Sequence, residues 1–380
     1  MGILRTTMVA AAAGIVWTHV GYPASAAVLA RRIAYRPRRD AGYTPTVCLI
    51  IAAHDEEAVI GGRLENALEL DYPPERLEIV VTSDASTDRT HEIVRSFAGR
   101  GVRLIENERG GKLPAQQAAV RATDSELIAF SDANSLWEPG ALRLLAATLA
   151  DPEVGYVCGR LRLTDPDDAA LNREGLYWRY ELWLREKESL LGSVTAGNGA
   201  IYAIRRSAFL ELPPFLGHDL SLPFRLARRG LRSVYDPTAV ATEPSAASTG
   251  AEWGRKVRMM SRSWWNLTRG GMLDPRGQRP LYVYQLYSHR LLRYASGLLH
   301  AALLATSAVL APVSALASLL FAGQIAWLAL AFCGWRRPGM VPLSGVAWYY
   351  LVVTAASAAA LGRLLRQGPQ ATWRPAEGTR

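Results

Sequence analysis

The sequence predicts an α/β protein in which one doubly wound, mostly parallel sheet is flanked by transmembrane helices. Three observations predict it. The 380 residues are 49% hydrophobic and only 20% charged, with a mean hydropathy of +0.03, more apolar than an ordinary soluble enzyme. That apolar excess is collected at the two ends of the chain. Between the ends, over residues 44–275, short apolar runs alternate with amphipathic stretches, the rhythm of strands and crossover helices.

The first element is apolar. Met8 to Ala30 carries no formal charge and is long enough for the roughly 20 residues that a bilayer crossing needs. The small-residue run Ala24-Ser25-Ala26-Ala27 also suits a cleaved signal peptide. The stretch is long for that role, and Arg31, Arg32, Arg36, Arg38 and Arg39 follow it at once, against a lone Arg5 before it. Lysine and arginine are retained on the cytoplasmic side, so the expectation is an anchor over residues 1–40 with a cytoplasmic domain behind it.

The soluble domain then reads in order. Val47 to Ala53 is a continuous apolar run, a strand buried on both faces, and it ends in His54-Asp55-Glu56-Glu57. A helix over 58–70 follows. Leu77 to Thr82 is a second strand ending in Ser83-Asp84-Ala85-Ser86-Thr87-Asp88, with a helix over 90–97. Val102 to Ile105 is a third strand, 115–122 a helix, and Leu127 to Phe130 a fourth strand ending in Ser131-Asp132-Ala133-Asn134. In open α/β sheets, ligands sit beyond the carboxyl ends of the strands. Any one of these clusters could be a helix cap. Three on one edge repel one another unless a cation or a hydrogen-bonding ligand lies among them. No G-x-G-x-x-G follows the first strand, which argues against a dinucleotide cofactor.

At the far end, Tyr294 to Leu310, Val313 to Phe332 and Met340 to Leu361 predict two or three more spans within residues 280–365, ahead of a tail over 366–380. Three spans would place Arg363, Arg366 and Arg374 outside, against the positive-inside rule. The aromatic and basic stretch from Tyr282 to His300 is therefore expected to lie at the interface.

The charge balance, 43 Lys and Arg against 34 Asp and Glu for a net +9, suits an anionic membrane surface or a phosphorylated substrate. Nucleic acid is not an expected partner, because no compact basic helix stands apart from the membrane segments. Cys48, Cys158 and Cys333 are widely spaced and form neither a disulfide framework nor a metal-ligand pattern, which fits a reducing compartment.

These motifs resemble, in order, the inverting family 2 glycosyltransferases of GT-A fold, in the membrane-embedded branch with the cellulose and hyaluronan synthases. Ala53-His54-Asp55-Glu56-Glu57 resembles the family's Pro-x-x-Asn-Glu-Glu segment and Ser83 to Asp88 its Asp-Asp-x-Ser-x-Asp turn. Gly110-Gly111-Lys112 is similar to a Gly-Lys segment near the nucleotide. Ser131 to Asn134 stands at the Asp-x-Asp metal motif. Gly217-His218-Asp219 stands at the motif carrying the catalytic base, with Arg225-Leu226 matching the family's Arg-Leu beyond it.

The resemblance implies a nucleotide-sugar donor, with UDP as the expected nucleotide, and a lipid-linked or polysaccharide acceptor at the cell (inner) membrane. Asp55 and Asp84 would line the donor pocket and Lys112 would add positive charge to it. Asp132 and Asn134 would hold Mg²⁺ or Mn²⁺, both of which prefer oxygen ligands. Asn134 departs from the family's second Asp and adds no charge. A hydroxyl acceptor needs a carboxylate to take its proton, and Asp219 is the expected base.

Arg258 and Arg262, on a predicted helix with Arg255 and Arg269, form a cationic stripe that would meet the diphosphate, anionic lipid headgroups, or both. The stretch lacks the synthases' Gln-x-x-Arg-Trp motif, which puts processive extension in doubt. Gly197, Asn198, Trp178 and His218 are the expected acceptor-side residues. Two rivals stand beside this reading: a polyprenyl-phosphate glycosyltransferase, and a non-catalytic nucleotide-sugar-binding subunit of a polysaccharide export system.

Overall fold

The computed structural model describes residues 1–164, 171–244, 249–337 and 340–368; the side chains of 171–175, 249–252 and Arg255 lie outside this description. Eight strands form one sheet: β1 (Val47–Ala53), β2 (Leu77–Asp84), β3 (Val102–Asn107), β4 (Leu127–Asp132), β5 (Leu136–Trp137), β6 (Val154–Thr164), β7 (Ile201–Arg205) and β8 (Arg232–Pro244). Their order is β3-β2-β1-β4-β7-β6-β8-β5. The first half is parallel, with Val47 opposite both Leu77 and Leu127. Beyond β4 the sheet turns mixed: β7 runs antiparallel to β4 and β6, whereas β6 and β8 are parallel.

The soluble-domain helices are α3 (Ile60–Leu68), α4 (Thr90–Ser96), α5 (Lys112–Arg121), α6 (Ala141–Leu149), α7 (Leu171–Leu190), α8 (His218–Arg228) and α9 (Thr249–Thr268). They follow the chain's first helices, α1 (Gly2–Val16) and α2 (Tyr22–Arg32). Alternation along β1, buried throughout, sends its side chains to two cores. Val47, Leu49 and Ile51 pack with α3, α4 and α6 on one face. Cys48 and Ile50 pack on the other with Leu113 of α5 and Leu222 of α8. This two-sided burial is why β1 is apolar throughout.

The expected strands are present, and β2, β3 and β4 each run two residues further than expected. The second and third acidic clusters therefore begin inside the sheet, at Asp84 of β2 and Asp132 of β4. The helix expected over 115–122 starts earlier, at Lys112, because Pro114 falls in its first turn, where a missing N–H costs nothing.

Among the described residues, four helical stretches are long and apolar enough to cross a membrane: Gly2–Arg32, Pro280–Val313, Ala315–Arg336 and Ser344–Gln367. The first joins α1 to α2 through a π-turn at Trp17–Gly21. The second joins α10 (Pro280–Gln285) to α11 (Leu292–Leu310). The other two are α12 (Ala315–Arg336) and α13 (Ser344–Gln367). Here the structure differs from the sequence expectation. Tyr282 to His300 is no separate surface helix: it opens the continuous Pro280–Val313 stretch, and Tyr282, Gln285, His289, Arg290 and Arg293 are buried within the protein.

α13 runs back along α11. His300 Nε2 lies 2.9 Å from the Tyr350 hydroxyl, and Ser357 Oγ donates to the Tyr294 carbonyl at 2.7 Å, so rising numbers on one helix meet falling numbers on the other. The C-terminal half of α13 docks on α9, where the Trp264 indole N–H donates to the Ser357 carbonyl at 2.9 Å.

Candidate active site

Asp84 ends β2 and is 1% exposed. One carboxylate oxygen accepts from the backbone N–H of Gly110 and Gly111, at 2.7 and 2.8 Å, and the other from the Arg109 guanidinium at 2.7 Å. Asp84 therefore shapes the glycine loop that begins α5. Gly111, at φ 99°, occupies a conformation that a side chain would strain. That turn aims Lys112 at β4, where its ammonium pairs with Asp132.

Asp55 sits two residues past β1 in a left-handed conformation, φ 52°. Its carboxylate accepts from the Thr87 N–H at 2.7 Å, tying the first acidic cluster to the second. Burial works against its charge, but the hydrogen bonds from Thr87 and Asp88, with His54 beside it, hold its pKa below the ordinary value. Asp88 is a cap, accepting from the Thr90 N–H at 3.0 Å and holding the Glu57 N–H at 3.0 Å.

Asp132 is partly exposed, and Asn134, two residues on, accepts or donates no side-chain hydrogen bond among the described residues. Beneath them lies Arg63, wholly buried, whose Nε donates to Ser131 Oγ at 3.1 Å and whose guanidinium lies over the Trp137 ring. Burial lowers its pKa to about 9.

Asp219 opens α8 and accepts no side-chain hydrogen bond among the described residues. Pro223, inside that helix, has no N–H for the Asp219 carbonyl four residues back. The Gly197 N–H takes the place of the missing donor at 2.8 Å. A Cβ on Gly197 would lie 2.0 Å from the Tyr156 hydroxyl, so only glycine allows this approach. The loop is fixed further by Asn198, whose side chain donates to the Gly159 carbonyl at 2.5 Å and accepts from the Ile201 N–H at 2.9 Å.

The halves meet around Tyr202. Burial first, then the charges of Asp219 and Asp132, push its phenol well above the ordinary range. Its hydroxyl lies 2.5 Å from His218 Nδ1. His218 is 4% exposed, boxed by Phe130, Phe209 and Tyr202. Burial, and then the charge of Lys112, lower its pKa to about 3, so it is neutral and holds Tyr202 in place. Trp178 is likewise committed: its indole donates to the Leu161 carbonyl at 3.2 Å and its ring packs on the core.

Arg262 of α9 is half-buried. Burial lowers its pKa, Asp219 opposes that shift and Arg258 adds to it, so Arg262 lies near the candidate base and Arg258 near Arg262. Arg269 of the same predicted stripe is exposed, and the Arg255 side chain lies outside the described residues.

The structure thus brings Asp132, Lys112, Tyr202, Asp219 and Arg262 together, and gives Asp84, Asn198, Trp178 and His218 internal partners. Sequence reasoning did not single out Arg63, Tyr156 or Tyr202. A buried arginine and two aromatics inside apolar runs carry no periodic signal of their own.

A sheet whose parallel half delivers carboxylates to one edge, closed by a mixed half that brings up a helix opening on Asp219, is the GT-A fold, here joined to apolar helices. Residues 48–212 match the family described as Glycosyl transferase family 2, and the chain carries a domain of that family. The sequence is 27% identical over 238 residues to the probable glycosyltransferase YdaM of Bacillus subtilis (strain 168), covering 56% of this chain and 54% of that protein. It is 29% identical over 215 residues to an N-acetylglucosaminyltransferase of Rhizobium meliloti (strain 1021), covering 52% and 50%. The matched stretch thus spans about half the length of these curated relatives. The mannosyltransferase PcManGT from Pyrobaculum calidifontis, solved with GDP-Man and Mn2+, shares the fold with a TM-score of 0.77. That match covers 96% of this chain and 99% of that one at 24% identity.

Proposed function

We propose that the protein is a membrane-bound inverting glycosyltransferase that moves a sugar from a nucleotide-sugar donor, UDP-linked as the sequence reading has it, to a lipid-linked or polysaccharide acceptor. The observation that carries this is the convergence on Tyr202 of two carboxylates from separate motifs, Asp132 at the sheet edge and Asp219 at the start of α8. The relatives' names and the neighbour's bound GDP-Man and Mn2+ support the same chemistry.

Asp132 and Asn134 fit a divalent cation, Mg²⁺ or Mn²⁺. Both are partly exposed oxygen donors on one turn, and Asp132 already draws the Lys112 ammonium to itself. When bound, such a cation neutralises charge on the leaving diphosphate. Lys112, Arg258 and Arg262 add positive charge around it. Asp55 and Asp84 hold the loops that wall the donor pocket. Asp219 takes the proton of the acceptor hydroxyl as it attacks from the opposite face. Gly197 and Asn198 set the wall on the acceptor side. Four apolar stretches support a multi-pass membrane protein, and the basic segment over residues 31–39 supports a domain on the cytoplasmic side.

The test is nucleotide release by detergent-solubilised protein with UDP- and GDP-linked sugars, Mn²⁺ and a native lipid extract. Turnover should appear with one donor and fall by about 10²-fold or more in both Asp132→Ala and Asp219→Asn. Folded protein that turns over no donor would sink the enzyme reading and leave the binding-subunit one. Arg262, near Asp219, favours one specific alternative, an anionic polyprenyl-phosphate acceptor that needs no base. Under that reading, Asp219→Asn retains most of its activity while Arg262→Gln does not.

A further inference from the structure

A cavity of about 220 Å³ lies away from these carboxylates, at the elbow where the first and second apolar stretches meet the soluble domain. Its walls come from four places: Ile33 and Tyr35 just after α2, Gly192 and Ser193 after α7, Leu231 and Arg232 at the start of β8, and Arg279, Tyr282 and Gln285 at α10. It is smaller than the roughly 300 Å³ at which ordinary ligand pockets begin, too small for a nucleotide sugar and suited to a compact polar head.

Three features describe what would fill it. Arg279 is exposed at the rim and makes no side-chain hydrogen bond among the described residues. Arg31, Arg32 and Arg36 are exposed beside Ile33 and Tyr35, so the approach is cationic; Arg232 is already paired with Glu153 at 2.8 Å. Gln285 is 1% exposed, and its amide nitrogen donates to the Ser193 carbonyl at 3.2 Å, which fixes the orientation of the amide. Its Oε1 is buried without a partner, so it lacks a donor. An anion alone satisfies the arginine and leaves Gln285 unpaired. A phosphate diester that also carries a free hydroxyl satisfies both. The position, where two membrane-length helices enter the domain, selects a lipid as the source.

We propose that this elbow is a binding site for an anionic phospholipid headgroup bearing a hydroxyl, of the phosphatidylglycerol type. The phosphate sits at Arg279, and the hydroxyl donates to Gln285 Oε1. The site is separate from sugar transfer and is tested without it.

The full chain in mixed micelles is exposed to phosphatidylglycerol, phosphatidic acid, phosphatidylcholine or soluble glycerol phosphate, and retained ligand is measured by native mass spectrometry. Phosphatidylglycerol should be kept over phosphatidylcholine, and Arg279→Gln should weaken it about tenfold, the worth of one charge-assisted hydrogen bond. Arg89→Gln, on the soluble domain and outside the cavity, should change retention less than twofold. Phosphatidic acid, lacking the glycerol hydroxyl, should bind more weakly than phosphatidylglycerol, a gap that Gln285→Met closes. Equal retention of all lipids, or indifference to Arg279→Gln, overturns the site. Binding of soluble glycerol phosphate as tightly as the lipid overturns the lipid source.

Discussion

Gly197 shows how narrowly single residues set this site. Its N–H supplies the hydrogen bond that Pro223 denies the Asp219 carbonyl, and it can do so only because no Cβ stands against Tyr156. Gly197→Ala should destabilise the protein by about 1–3 kcal/mol through overpacking and displace Asp219, read as a lower thermal midpoint in detergent together with reduced turnover. His218 makes a second prediction. Its pKa of about 3 lies below the ordinary 6.5, so between these values the unfolded chain binds more protons than the folded one. Stability from this group is whole above about pH 6.5 and is lost as pH falls toward 3. His218→Phe should flatten that acid slope in a pH series of unfolding midpoints. It should also cost about 1–3 kcal/mol at neutral pH, because Tyr202 loses its partner.

Between elements, the link from membrane to site passes through α7. Glu188, buried near its C-terminal end, accepts from Tyr22 of α2 at 2.7 Å and from the Thr195 N–H and hydroxyl at 3.1 and 2.8 Å, and lies 2.7 Å from His289 Nδ1. Arg290 donates to the Thr195 hydroxyl at 2.7 Å, two residues before Gly197. One carboxylate thus holds two apolar stretches and the loop that reaches Asp219. Glu188→Ala should cost about 3–5 kcal/mol, because it leaves buried cations and donors without their partner. Glu188→Gln keeps hydrogen-bonding groups in place and should lose less, a ranking checked by thermal unfolding of both variants. The aromatic periodicity of this helix is visible in the sequence. That Glu188 is its coupling residue is not, since its partners lie 7, 101 and 166 positions away.

At the scale of the whole molecule, the antiparallel run of α11 against α13 bears on topology. α12 begins beside the end of α11, and Gly334 near its other end packs on Ser344 at the start of α13. We infer that, with α11 and α13 crossing a bilayer in opposite senses, α12 joins their far ends and adds no net crossing. Arg363 and Arg366 then return to the side of the soluble domain, as the positive-inside rule asks. A cysteine replacing Arg366 should be labelled by an impermeant reagent from the same side as one replacing Arg89 on the domain. Labelling from opposite faces would refute this arrangement.

The sequence by itself determined the parallel half of the sheet, the acidic strand ends and the apolar termini. Each is written in a local pattern: continuous apolar runs for two-sided burial, Asp and Asn at the strand ends, and stretches long enough to cross lipid. It did not show the mixed half, because β5 to β8 pair across long separations and β6 bulges at Gly159, where the Ala239 carbonyl leaves no room for a Cβ. Tertiary structure alone decided which polar residues face the opening and which are spent inside. Whether Asp84, Asn198 and His218 bind a ligand or a neighbouring loop depends on partners that only folding brings within 3 Å.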